Sequence, residues 1–275
     1  MNSSLSHHIA TSKDRDELIR LWKLCFTEDT AFLHFFFDKG FPLTQTHVLR
    51  SDQAICAALS FFPISYCENN LLYPGSYLYG VCTHPEHQGK GYSRKLFQQA
   101  LTLRKKSGDQ FILTRPASHD LFSFYIDQGF NCPLYQQEDI LQATQQRFPV
   151  EPHPNTWTKM TPERLGKWQA QASEAAIHWS AELLNYIMDY YKRDGGLFLE
   201  REDEYAICIP NPEHPDEIHV LDGKIRDFAD IQTQFPKQKI HIHSTASAQN
   251  GKLYALAYPI TKELKPNCSF PFPME

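Results

Sequence analysis

The chain has 275 residues, 41% hydrophobic and 13% aromatic, with a formal net charge of −5. That size accommodates one large domain or two modest ones with a substantial core, and the apolar share argues against a disordered chain. The mildly acidic balance provides no electrostatic footprint for a nucleic acid. The absence of an apolar window of about 20 residues argues against a membrane partner.

The seven cysteines (25, 56, 67, 82, 132, 208 and 268) are scattered singly with no C-x-x-C pair. The first twenty residues carry no apolar run of the signal-peptide kind. Both features fit a reduced, cytoplasmic protein, and nothing in the sequence indicates an oligomeric state.

In chain order, residues 8–11 suit a short strand. Residues 13–26 carry Leu18, Leu21, Trp22 and Cys25 at helical spacing. Thr30 is a candidate N-cap for a second helix that runs through Phe32, Phe35, Phe36 and Phe37 to Gly40. Residues 46–50 and 54–66 have strand character, with Pro63 marking a bend or an edge. Glu68-Asn69-Asn70 is a turn, residues 71–73 pair back, and Pro74-Gly75 is expected to turn the chain into a central strand.

That strand opens the most informative stretch, residues 76–108. Tyr77, Tyr79, Val81 and Thr83 alternate with Leu78, Gly80, Cys82 and His84 until Pro85. Gln88-Gly89-Lys90-Gly91-Tyr92-Ser93 then leads into a segment with Leu96, Phe97, Ala100, Leu101 and Leu103 at helical spacing, stopped by Gly108. Strand, glycine loop and helix in this order make a phosphate site, because free N–H groups and the positive dipole end face a loop without side chains. Lys90, Arg94 and Lys95 add positive charge. The spacing matches neither the nucleoside-triphosphate P-loop nor the dinucleotide fingerprint.

Val81-x-Thr83-x-Pro85-x-x-Gln88-x-x-Gly91-x-Ser93 resembles the acetyl-coenzyme A signature of the GNAT superfamily of N-acetyltransferases, with Ser93 where Gly or Ala is usual. Downstream, Tyr125-x-x-x-Gly129-Phe130 resembles that superfamily's second feature. The resemblance implies a mixed α/β fold with a mostly antiparallel central sheet, in which the strand at 111–114 splays from the central one and pantetheine fills the gap. It further implies that acetyl-CoA, as acyl donor, lies on Val81, Cys82, Thr83, Gln88, Gly89, Lys90, Gly91, Tyr92, Ser93 and Arg94. A backbone N–H at Val81 or Cys82 would stabilise the oxyanion, and Tyr125, on a helix capped by Ser118, would protonate the leaving thiolate.

Residues 148–162, with four prolines, form an expected linker between a domain at 1–147 and a second module at 163–275. The second half predicts helices from Pro162 and from Ser180, a hairpin over 197–201 and 205–209, a strand at 218–221, a helix near 227–235, and strands at 239–243 and 252–258. Its counterpart of the glycine loop, His219 to Ile225, has one glycine and an acidic residue, so this lobe is expected to be a degenerate, coenzyme-free GNAT-like unit. Paired lobes, Leu24-Cys25-Phe26 and Phe35-Phe36-Phe37 resemble the Eis-like branch, in which a C-terminal carboxylate, here Glu275, serves as base.

Glu86, His84 and water are the other candidate bases. No metal is expected, because His84 with His87 and His241 with His243 lack further ligands at recognisable spacing. The sequence predicts direct acetyl transfer to a small-molecule or peptide amine. A non-catalytic CoA-binding module and a structural protein stay open as alternatives.

Overall fold

A computed structural model describes residues 5–40, 43–51, 54–141, 156–171 and 175–270. Its frame is a mostly antiparallel sheet in the order β1-β2-β3-β4-β5-β13-β6-β12-β11-β10-β9-β7, with β8 pairing β3 off this path. The first half supplies β1 (Leu5–Ile9), α1 (Arg15–Cys25), α2 (Thr30–Phe35), β2 (Thr46–Ser51), β3 (Ala54–Glu68), β4 (Leu71–Thr83), α3 (Tyr92–Lys106), β5 (Phe111–Thr114), α4 (Leu121–Ile126) and β6 (Cys132–Leu141). The second supplies β7 (Thr158–Lys159), α5 (Pro162–Gln171), β8 (Ala176–Trp179), α6 (Ala181–Arg193), β9 (Leu197–Arg201), β10 (Glu204–Pro210), β11 (Glu217–Lys224), α7 (Phe228–Gln234), β12 (Lys239–Ala246) and β13 (Lys252–Pro259). Among the described residues no helix is long and apolar enough to cross a membrane.

Several local expectations are corrected. Asp29, not Thr30, caps α2, its Oδ1 accepting from the Phe32 N–H at 2.6 Å; a carboxylate there also complements the helix dipole. Asp120, not Ser118, is the N-cap of α4. Pro74 and Gly75 do not turn the chain: they lie inside β4, opposite Ser65 and Ile64 of β3. A Cβ on Gly75 would come within 2.5 Å of the Phe111 ring, so glycine serves close packing there. The reversal happens earlier, where Asn69 and Asn70 both adopt left-handed φ, as a two-residue hairpin turn requires.

Pro63 falls in a gap along the β3 edge. Pairing with β2 reaches Ser60 and pairing with β8 starts at Ile64, so the missing N–H interrupts neither ladder.

The largest apolar cluster draws on both halves. It combines Trp22, Phe36, Phe62 and Tyr77 with Trp179, Tyr186, Tyr190 and Met188. From α6, Tyr186 stacks on Phe35 with centroids 5.4 Å apart, and Arg193 lies 4.4 Å over the Phe32 ring. The second half is thereby built into the wall behind the central strand. Of the expected linker 148–162, residues 148–155 lie outside the described residues; Thr158–Lys159 pairs with β9 and Pro162 opens α5. Glu275 also lies outside the described residues.

Candidate active site

Two irregularities in β4 build the site. The first is its separation from β5: the two strands pair in parallel only at Ser76–Ile112 and Tyr77–Leu113. Beyond that point a cavity of about 420 Å³ is lined by Leu78, Tyr79, Gly80 and Val81 on one side and by Thr114, Arg115 and Tyr125 on the other.

The second irregularity is a bulge. Ser60 pairs with Tyr79 and Ala58 with Cys82, so Leu59 alone faces Gly80 and Val81. Gly80 has φ +60°, and a Cβ there would sit 2.4 Å from Trp22 Cζ2; only glycine satisfies both demands. The bulge thus presents Val81 to the cavity, whereas Cys82 behind it is buried and back in register.

Tyr125 closes the far wall. It is 8% exposed, and burial pushes its phenol up to about 12, so it stays protonated through the physiological range. Its hydroxyl contacts that of Thr114, which donates to the Leu78 carbonyl at 3.2 Å. Thr114 is a member of the site that sequence patterning did not single out; its position as the last residue of the diverging strand was the available signal.

The glycine loop lies at the end of the same strand. Gly89 and Gly91 have φ +74° and +72°, and a Cβ on either would meet nothing within 4 Å, leaving an open cradle rather than a packed turn. Gly91 is the N-cap of α3, a 15-residue helix whose first intrahelical bond runs from the Lys95 N–H to the Gly91 carbonyl. The N–H groups of Tyr92, Ser93 and Arg94 therefore have no helical acceptor and face the loop as an anion site.

Gln88 folds back, its Nε2 donating to the Thr83 carbonyl at 3.3 Å. Lys90 Nζ donates to the Glu86 carbonyl at 2.9 Å, and His87 stacks on Tyr92. With the Gln128 amide oriented oxygen-first, Arg94 donates to it at 2.9 and 3.1 Å.

The opposite mouth of the cavity holds Cys25, Phe26, Thr27 and Glu28. Burial raises the Glu28 carboxyl above its ordinary value, against the pull of Arg193, with Asp29 and Asp194 adding to the rise. Cys25 donates from Sγ to the Thr83 carbonyl at 3.4 Å. Glu86 and His84, candidate bases from the sequence, do not line this cavity; both stand beside the glycine loop.

Residues 7–132 match the acetyltransferase (GNAT) domain family. No curated protein matches the chain. Among solved structures, the GCN5-related N-acetyltransferase from Kribbella flavida superposes with a TM-score of 0.70 at 11% identity, covering 94% of this chain and 72% of that one. The GCN5-related N-acetyltransferase from Anabaena variabilis ATCC 29413 gives 0.71 at 13%, covering 94% and 73%. Eis1 from Mycobacterium abscessus gives 0.64 at 10%, covering 94% and 74%. The fold is that of two-lobed GNAT proteins. Residues 7–132 carry an acetyltransferase (GNAT) domain, a family whose acyl donor is acetyl-CoA.

Proposed function

We propose that the chain transfers acetyl from acetyl-CoA directly to a cationic primary amine within a ternary complex. The observation that carries this reading is the single cavity in which the β4 bulge, the Tyr125 phenol and the Glu28 carboxylate meet. The phosphates of the donor would lie on the N–H groups of Tyr92, Ser93 and Arg94, in the cradle that Gly89 and Gly91 leave open, with Gln88 and Lys90 holding the loop. The strand edge from Val81 to Thr83 would pair with the pantetheine arm.

The acceptor nitrogen, after losing a proton to water, attacks the thioester carbonyl. The backbone N–H at Val81 or Cys82 stabilises the resulting oxyanion, a contribution of about 3 kcal/mol for one such donor. As the C–S bond breaks, Tyr125 gives its proton to the thiolate. Holding both reactants in line removes the need for a covalent enzyme intermediate.

Glu28, with Asp29 and Asp194 within electrostatic reach, supplies negative charge where an ammonium group would arrive. Asp194 follows α6, so the second lobe takes part in acceptor selection. We assign residues 1–147 to the acetyl-CoA lobe and 163–275 to that second lobe.

The test is acetyl-CoA-dependent thiol release over a panel of cationic, neutral and acidic amines. Cationic amines are expected to be the best substrates, with Glu28→Gln raising their KM about tenfold, the equivalent of about 1.4 kcal/mol. Equal rates across the panel, or an unchanged KM in the variant, would refute the acceptor assignment.

A further inference from the structure

A second chemical cluster lies away from the cavity, where the strands of the two halves meet. In β11 and β12, Ile218, Val220, Ile240 and Ile242 face an apolar core under α7. Strand alternation therefore turns His219, His241 and His243 to the opposite face. Register brings them together: His219 pairs with His241 across the parallel β11–β12 ladder, and His243 pairs with Glu138 across β12–β6. Two histidines separated by one residue acquire a third histidine and a carboxylate from two neighbouring strands.

The resulting geometry is compact. One donor atom each from Glu138, His219 and His241 lies within 4.8 Å of the others. The His219 and His241 rings stack with centroids 4.6 Å apart. His219 Nδ1 is 2.7 Å from His243 Nε2, and His241 Nδ1 is 2.7 Å from Glu138 Oε1.

His241 is only 7% exposed, and its Nε2 has no hydrogen-bond partner; Glu217 Oε2 stands 3.4 Å away without alignment. A buried ring nitrogen left unpartnered carries a desolvation cost; an ion held at Nε2 would remove it, with Glu138 turning from Nδ1 to join it. Glu217 is already engaged by Lys239 at 3.0 Å and by Asn211 at 3.1 Å, which leaves Glu138 as the available carboxylate.

We propose that Glu138, His219 and His241, with His243 beside them, form a binding site for a divalent transition-metal ion of the zinc class. Imidazoles with one carboxylate and no thiolate suit zinc, nickel or copper(II) rather than calcium or magnesium. Around a tetrahedral ion such donors stand roughly 3.4 Å apart, and the near-parallel His219 and His241 rings, 14° apart, would turn about their side-chain bonds to aim both nitrogens at it. The ion would clamp β6, the last strand of the acetyltransferase half, to β11 and β12 of the second, and its role is structural.

The test is calorimetric titration of chelator-stripped, full-length protein with Zn²⁺, beside a Co²⁺ titration followed by absorption. Expected are one saturable ion per chain, a cobalt spectrum without a thiolate charge-transfer band, and a thermal midpoint that rises with metal. Glu138→Gln combined with His219→Gln should weaken binding by more than about tenfold, since even outer partners of metal ligands carry that much, while acetyl-CoA affinity stays as in the wild type. If the double variant loses acetyl-CoA binding through misfolding, Glu138→Gln alone decides, because its side chain is partly exposed. Absence of saturable Zn²⁺ binding, a thiolate band, or unchanged affinity in the folded variant would overturn the site.

Discussion

Replacing Tyr125 by phenylalanine removes one oxygen and leaves the ring that packs edge-on against Phe130 and Phe124, with centroids 5.4 and 5.1 Å away. Thr114 loses one hydrogen-bond partner but keeps its bond to the Leu78 carbonyl, so the fold should lose about 1 kcal/mol. The chemical loss should be larger. A phenol pushed up to about 12 is protonated at every assay pH up to 10, and a positioned general acid contributes roughly 10²–10⁴-fold. A fall in kcat of about 100-fold or more is expected, equivalent to about 2.7 kcal/mol at the least, with acetyl-CoA affinity unchanged.

Thiol release should be followed in a single turnover with both substrates saturating, so that slow product release does not mask the step, and calorimetry should supply the affinity. An unchanged single-turnover rate would remove Tyr125 from the mechanism and leave the thiolate to depart unaided. A loss confined to acetyl-CoA binding would make the tyrosine a wall of the coenzyme groove.

Gly91→Asp places a carboxylate where the cradle is open and φ is +72°. It should abolish measurable acetyl-CoA binding in calorimetry while the circular dichroism spectrum stays native; retained affinity would refute the loop assignment. Stability should also depend on pH through Glu68, whose carboxyl is held down to about 2, first by the hydrogen bond from Lys262 and then by that from Lys265. Because this folded value lies below the ordinary carboxylate value, the stabilisation is complete above about pH 4.5 and is lost as pH falls toward 2. The thermal midpoint of wild type should therefore drop more steeply over that window than that of Glu68→Gln, and parallel curves would refute the pairing.

The parts of the site legible in the sequence are those whose chemistry is local. Gly89, Gly91 and the following helix announce an anion cradle because backbone freedom and an N-terminus are properties of consecutive residues. Tyr125 came from the resemblance carried by Tyr125-x-x-x-Gly129-Phe130, and the structure places it in the cavity wall. What stayed hidden depends on pairing between distant residues. Thr114 acquires meaning only because β5 diverges from β4, and Glu28 only because α6 brings Asp194 and Arg193 toward it.

Strand β6 was missed for a similar reason. Its residues Tyr135 to Ile140 are mostly polar or charged, and they form a strand through the ladders that β13 and β12 offer on either side. Pro74-Gly75 misled in the other direction: two turn-forming residues were held straight by the β3 ladder and by the Phe111 ring filling the space a side chain would need.

The position of β13 bears on how the two halves work together. It comes from the end of the chain yet lies between β5 and β6, pairing with both. Its Tyr258 packs edge-on against Phe130 and Phe97, with centroids 5.7 and 6.1 Å away, and Gly129 has no Cβ because one would stand 2.9 Å from the Tyr258 ring. Phe97 lies on α3, which begins at the glycine loop, and Phe130 follows the turn that ends α4, which carries Tyr125. A strand contributed by the second half therefore braces the helix that follows the glycine loop and the helix that carries Tyr125, while α6 from the same half packs its Tyr186 on Phe35. The second half is thereby part of the framework around the cavity that Tyr125 closes.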